Sequence, residues 1–213
     1  MTPFSNLEEI YDYQKDNAKK IRVEDMVKDI NLIGILKLKF KADTAYLGIL
    51  IYNINNKKVV FTDFKSYIPI FTEYFPSILF LNQTEIYLDL INDLKLIPDC
   101  YIINSSGQIH PFLYGGACDF GLKLKTNTPV IGYTKQLLFG ALKKISGNSE
   151  IYGVYNENLL IGYAIPKPNS KKYNYISVGN NISLETAKKV FLSIDLNLIS
   201  ILKQRLNSFI SNS

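Results

Sequence analysis

Apolar and polar positions change period several times along the chain. Leu7, Ile10, Tyr11, Gln14 and Ala18 fall at helical spacing, and Ser5 stands three residues before Glu8, as in a capping box. This pattern predicts an opening amphipathic helix that runs to about Val27. The period then drops to two: Ile33, Ile35, Leu38 and Phe40, next Tyr46 to Ile54, then Val59 to Phe64, with Asn53 to Asn56 as a turn between the last two. Three successive strands of this kind predict an antiparallel meander. Helical and strand patterns alternate after that, with Gln83 to Leu94 a helix, Cys100 to Ile103 a strand and Pro111 to Lys125 a helix with proline in its first turn. Val130 to Gly132 follows as a strand and Thr134 to Phe139 as a short helix. Tyr152 to Tyr155 and Leu159 to Ile165 read as a hairpin, Tyr175 to Val178 as a strand, and two closing helices start at Ser183 and Leu196. A meander followed by βαβα units predicts an α/β fold of three α/β/α layers, with a mixed central sheet.

Composition narrows the class without changing the pattern. At 213 residues, with no Pro- or Gly-rich divider, the chain is expected to form a single domain over residues 1–213. Its 47% hydrophobic and 20% charged residues suffice for a large core. The formal charge of +5 suits a polyanion, yet of the 24 basic residues only Arg22 and Arg205 are arginine, so the surface offers point charges more than planar forks. Cys100 and Cys118 have no metal-ligand spacing and read as buried thiols in a reducing compartment. Met1 to Glu9 is polar and acidic rather than a secretory leader, and runs such as Leu47 to Tyr52 fall far short of the about 20 residues that span a bilayer. An intracellular protein, cytoplasmic or nuclear, with no membrane partner is expected.

Ligands of such sheets gather beyond the carboxyl ends of strands. Asp43, Asn104, Lys135 and the Gly179-Asn180-Asn181 run all directly follow apolar strands, and the lone histidine, His110, lies six residues past Asn104. The segment Pro98-Asp99, Cys100 to Ile103, Asn104-Ser105-Ser106-Gly107 and His110-Pro111 resembles the signature of the endonuclease V family: Pro-Asp, an apolar strand, Asp-Gly-His-Gly and His-Pro. Gly115, Ala117, Phe120-Gly121 and Pro129 to Lys135 are similar to its next helix and strand, and Gly179 to Ala187 to its Gly-His-Arg-Ile-Ser-Leu-Glu-Thr-Ala. Ala42-Asp43-Thr44-Ala45-Tyr46 resembles its Gly-Val-Asp-Val-Ala-Tyr.

The resemblance implies a ribonuclease H-like fold and cleavage of DNA or RNA near deaminated purines (inosine), with Mg²⁺ or Mn²⁺ held by three carboxylates. Carried onto this chain, the first carboxylate is Asp43, the second falls on Gln83 and the third on Asn104, with His110 and Lys135 kept from the catalytic set. Amides in place of anions weaken the grip on a hard cation, so the resemblance implies an endonuclease V-like nucleic-acid-binding subunit with lost or weakened cleavage. Replacement charge would come from Asp119 or Glu85, giving a metal site at Asp43 and Asp119 and an active Mg²⁺ or Mn²⁺ endonuclease as the alternative. A strand-separating wedge falls on Glu73 to Pro76, with Tyr74, Phe75 and Pro76 stacking on bases, and Gly107, Gly132 and Asn180 join the nucleic-acid contacts. Single-stranded or deaminated DNA or RNA is the expected ligand. Phe112-Leu113, where the family has two arginines, raises a third reading, an apolar surface for a protein partner and no nucleic acid.

Overall fold

A computed structural model describes residue 4 and residues 6–68, 79–145, 150–168 and 170–212. Among them nine strands form a single sheet. Helix α1 (Leu7–Ala18) leads into the meander β1 (Leu32–Lys41), β2 (Thr44–Asn53) and β3 (Lys58–Tyr67). Then come α2 (Leu79–Asn92), β4 (Cys100–Ile103), α3 (Gly116–Lys123), β5 (Val130–Thr134) and β6 (Ala141–Lys144). The chain closes with β7 (Tyr152–Asn156), β8 (Leu159–Pro166), β9 (Tyr173–Asn180), α4 (Leu184–Ser193) and α5 (Asn197–Asn212).

The sheet order is β3-β2-β1-β4-β5-β9-β8-β7-β6. Its centre is parallel: Ile35 pairs with Ile102 and Ile102 with Ile131, so β1, β4 and β5 run side by side and end at one rim. The flanking pairs are antiparallel, as the meander and the hairpin require. Period-two alternation divides the side chains between the two faces. Ile33, Ile35, Ile102 and Ile131 pack under Phe191, Leu198 and Leu202 of α4 and α5, while Leu36, Tyr101 and Ile103 pack under Tyr87, Leu90 and Phe120 of α2 and α3. This is the expected three-layer α/β/α arrangement.

Several boundaries differ from the sequence expectation. The opening helix stops at Ala18, because the chain is drawn off toward β9, where the Arg22 N–H donates to Asn180 Oδ1 at 2.9 Å. Its described cap is Asn6, which accepts from the Glu9 N–H at 3.0 Å; Ser5 lies outside the described residues. The helix expected from Pro111 begins only at Gly116. Residues 110–113 instead form a turn, closed by the Leu113 N–H on His110 O at 2.8 Å, and Leu113 has a left-handed φ of 53°. The helix expected at Thr134 to Phe139 is absent: Thr134 ends β5, residues 135–140 bend, and Gly140, at φ 89°, turns the chain into β6, which the pattern did not reveal.

Candidate nucleic-acid site

A cavity of about 570 Å³ opens beyond the carboxyl ends of β4 and β5. Its apolar walls are Tyr11, Phe80, Phe112 and Leu138, and its polar edge carries Gln14, Gln83, Asn104, Ser105 and His110. Three of the expected positions, Gln83, Asn104 and His110, thus converge although they come from α2, the end of β4 and the turn before α3. The glycine pair Gly115-Gly116 lets α3 approach this rim. A Cβ on Gly115 would stand 2.2 Å from Ser106 Oγ, and one on Gly116 would stand 2.4 Å from Ser105 Oγ and 3.2 Å from Gln83 Oε1. His110 Nδ1 accepts from the Phe112 N–H at 3.3 Å, so a neutral ring carries its proton on Nε2. Burial pushes its pKa down to about 4, which keeps the ring neutral at pH 7.

Next to Asn104, but not lining the cavity, is a residue that the sequence reading missed. Parallel register pairs Leu36 with Ile103, which puts Lys37 of β1 beside Asn104, the residue after β4. Lys37 Nζ donates to Asn104 Oδ1 at 2.5 Å, while Asn104 Nδ2 donates to Tyr133 O on β5 at 3.4 Å. Burial, then Lys135, Lys203 and Lys39, push the Lys37 ammonium down to about 8. Burial and Lys203 lower Lys135 as well. Lys135 is exposed and does not line the cavity, so it belongs to the lysine group around Lys37. The missed signal was in β1 itself: Ile33, Ile35, Lys37 and Lys39 share a face, and a lysine enters that apolar row where the strand leaves the core.

The family model described as Endonuclease V matches residues 15–197. The chain belongs to the endonuclease V family. It is 30% identical over 193 residues to the endonuclease V of Dictyoglomus turgidum, covering 87% of this chain and 80% of that protein. The Dictyoglomus thermophilum protein is 28% identical over 188 residues, with the same coverage. Among solved structures, Bacillus subtilis endonuclease V superposes with a TM-score of 0.84 at 16% identity, covering 99% of this chain and 95% of that one. Ciona intestinalis endonuclease V, in complex with a 24mer DNA containing an inosine followed by a ribo-adenosine, gives 0.81 at 19% identity and covers 97% and 98%. These likenesses confirm the α/β fold with its mixed sheet.

Against that family pattern the structure moves several expected residues. Asp43 does not reach the cavity: it is exposed in the β1–β2 turn, beyond Lys41, which lies four residues and so roughly 13 Å along β1 from Lys37. The β1 residue beside Asn104 is Lys37, and this displaces Asp43 as the partner of the other two positions. Asp119, expected as replacement charge, is fully buried and accepts from Tyr13 OH at 2.7 Å and Tyr114 OH at 2.9 Å. Lys123 Nζ lies 3.2 Å from its other oxygen and 3.2 Å from Glu85 Oε1, so one lysine engages both rescue candidates. Burial first, then Asp119, pushes the Tyr13 hydroxyl up to about 12, as expected for a proton held on a buried carboxylate.

Asn180 is buried rather than offered to a ligand, with Oδ1 on the Arg22 N–H and Nδ2 on Gly121 O at 2.9 Å. Gly132 and Gly107 meet each other instead of a base: a Cβ on Gly132 would stand 2.4 Å from Gly107 N, and one on Gly107 would stand 2.1 Å from Val178 O. Phe112 is half-buried against Tyr11, at 5.0 Å between ring centroids, and faces the cavity, whereas Leu113 packs beside Ile109 and Val154. Tyr74, Phe75 and Pro76 lie outside the described residues. Among the described residues no three His, Cys, Asp or Glu side chains are grouped to hold a metal ion. A divalent cation does not fit beside Asn104, because an ammonium is already there and the neighbouring donors are neutral amides.

Proposed function

We propose that this member of the endonuclease V family binds single-stranded or deaminated DNA or RNA at the cavity and has lost the metal-dependent cut of its relatives. The observation that carries this reading is the 2.5 Å contact of Lys37 Nζ with Asn104 Oδ1. Two unit charges 4 Å apart interact by roughly 4 kcal/mol at an effective dielectric of 20, and a divalent ion doubles that. Exchanging a carboxylate for an ammonium at this distance turns that attraction into repulsion. The amides of Gln83 and Asn104 bring no charge to offset it.

The residues present support binding and orientation. Phe80, Phe112 and Leu138 give the apolar walls on which a base could lie, and Gln83, Ser105 and neutral His110 supply hydrogen-bonding groups along one edge. Neutral His110 can donate from Nε2 but adds no charge for phosphate. No step is derived through a metal ion.

The test uses purified protein with an inosine-containing single strand, as DNA and as RNA. The expected result is a complex that weakens steeply with salt, and strands that stay intact in Mg²⁺ or Mn²⁺. Mn²⁺-dependent nicking that survives in Asn104→Ala but is abolished in Asp43→Ala would support the alternative, an active enzyme with a rearranged site. No salt-dependent binding would favour the protein-scaffold reading.

A further inference from the structure

We propose that Lys37, with Lys135 and Lys203, forms a metal-free clamp for a phosphodiester of the bound strand. The inference rests on the nucleic-acid-binding reading and goes further by naming the groups that hold the phosphate. Asn104 and Lys135 stand just beyond the ends of β4 and β5, where open α/β sheets gather ligands, and the register sets Lys37, four residues short of the end of β1, beside Asn104. Asn104 fixes the ammonium: its Nδ2 is turned to Tyr133 O, so its Oδ1 faces Lys37. That bond uses one of three ammonium protons and leaves two for an anion.

The next lysine on the same face of β1 is committed elsewhere, since Lys39 Nζ donates to Asn207 Oδ1 at 3.0 Å. Lys203 lies four residues before Asn207, one helical turn along α5, and so shares the side of that helix that carries Asn207 against Lys39 of β1. The charges that act on Lys37 are all lysines, Lys135 first, then Lys203 and Lys39. Asp119 and Glu85 cannot quench them, because both are engaged with Lys123. Such a concentration of like charge is relieved by an anion. The anion is assigned as a phosphodiester because Asn104 also lines the cavity, so a phosphate on Lys37 places its attached nucleoside against the apolar walls.

The test is fluorescence anisotropy with a labelled single-stranded oligonucleotide, in EDTA and over a range of salt. Wild type is compared with Lys37→Met, Lys203→Met, Lys37→Arg and, as a control, Lys39→Met. Lys37→Met is expected to weaken binding by about tenfold at low salt and to reduce the slope of log affinity against log salt by about 0.7. Lys203→Met shifts both in the same direction, Lys37→Arg restores the slope, and Lys39→Met leaves it unchanged. Thermal melting of each variant separates lost binding from lost folding. Binding with an unchanged slope in a folded Lys37→Met variant overturns the clamp alone, whereas no binding by the wild type overturns the nucleic-acid reading itself. Inorganic pyrophosphate that displaces the oligonucleotide at equal concentration would reassign the site to free phosphate and overturn the phosphodiester.

Discussion

Beside Asn104 the sign of one charge sets what the rim can hold. In the proposed reading, Lys37 there attracts a phosphate and repels a divalent ion. Asp119 shows the opposite case, an acid whose neighbours remove it from chemistry altogether. With its carboxylate fully buried under two tyrosine hydroxyls, Asp119→Ala should cost about 3 kcal/mol of stability in urea unfolding, since hydrogen bonds to a charged group contribute about 1.5–3 kcal/mol each. A loss under about 1 kcal/mol would remove its structural role. Asn104 and His110 were legible in the sequence because each sits in a short local frame, after a strand or in a His-Pro pair, whereas Gln83 came only from the family resemblance. Asp43 was misplaced because its local likeness, Asp-Thr-Ala-Tyr, carries no information about strand register. Only the pairing of β1 with β4, far apart in sequence, shows that Lys37 is the neighbour of Asn104.

Elements were placed well where one face is buried and poorly where the chain turns. The meander, β4, β5, the hairpin and α4 follow from alternation and from Ser183 as the cap of α4, whose Oγ accepts from the Thr186 N–H at 3.2 Å. The premature end of α1 and the late start of α3 depend on contacts distant in sequence, the first with Asn180 and the second with Ser105 and Ser106, which local periodicity cannot report. The segment after α1 is tied down by Asp25, which accepts from the Ser183 N–H at 2.7 Å, from the Thr186 hydroxyl at 2.7 Å and from the Ser183 hydroxyl at 3.0 Å. Partial burial raises its pKa, but these three donors outweigh that and hold the carboxyl below its ordinary 3.8. A depressed folded-state value means that the stabilisation is complete above 3.8 and fades as pH falls through the folded value. Asp25→Asn should therefore lower the melting temperature at neutral pH, with the gap to wild type closing below 3.8. A gap that stays constant through that range would show that the charge contributes nothing.

Across the whole molecule the fold is fixed by more of the chain than the site is. The three-layer architecture and family membership follow from patterns spread over most of the chain, and the match over residues 15–197 agrees with them. The site depends on a few positions whose meaning changes with one substitution, and here the sheet brings a lysine beside an amide at Lys37 and Asn104. The apolar walls of the cavity come from α1, α2, the turn before α3 and the bend after β5, and none of them is charged. The central claim is that an ammonium has taken the place of the ion. Paramagnetic resonance of Mn²⁺ titrated into the purified protein tests it most directly. The spectrum of free Mn²⁺ should stay undiminished up to millimolar protein, whereas a stoichiometric loss of that signal, abolished by Asn104→Ala, would contradict the account.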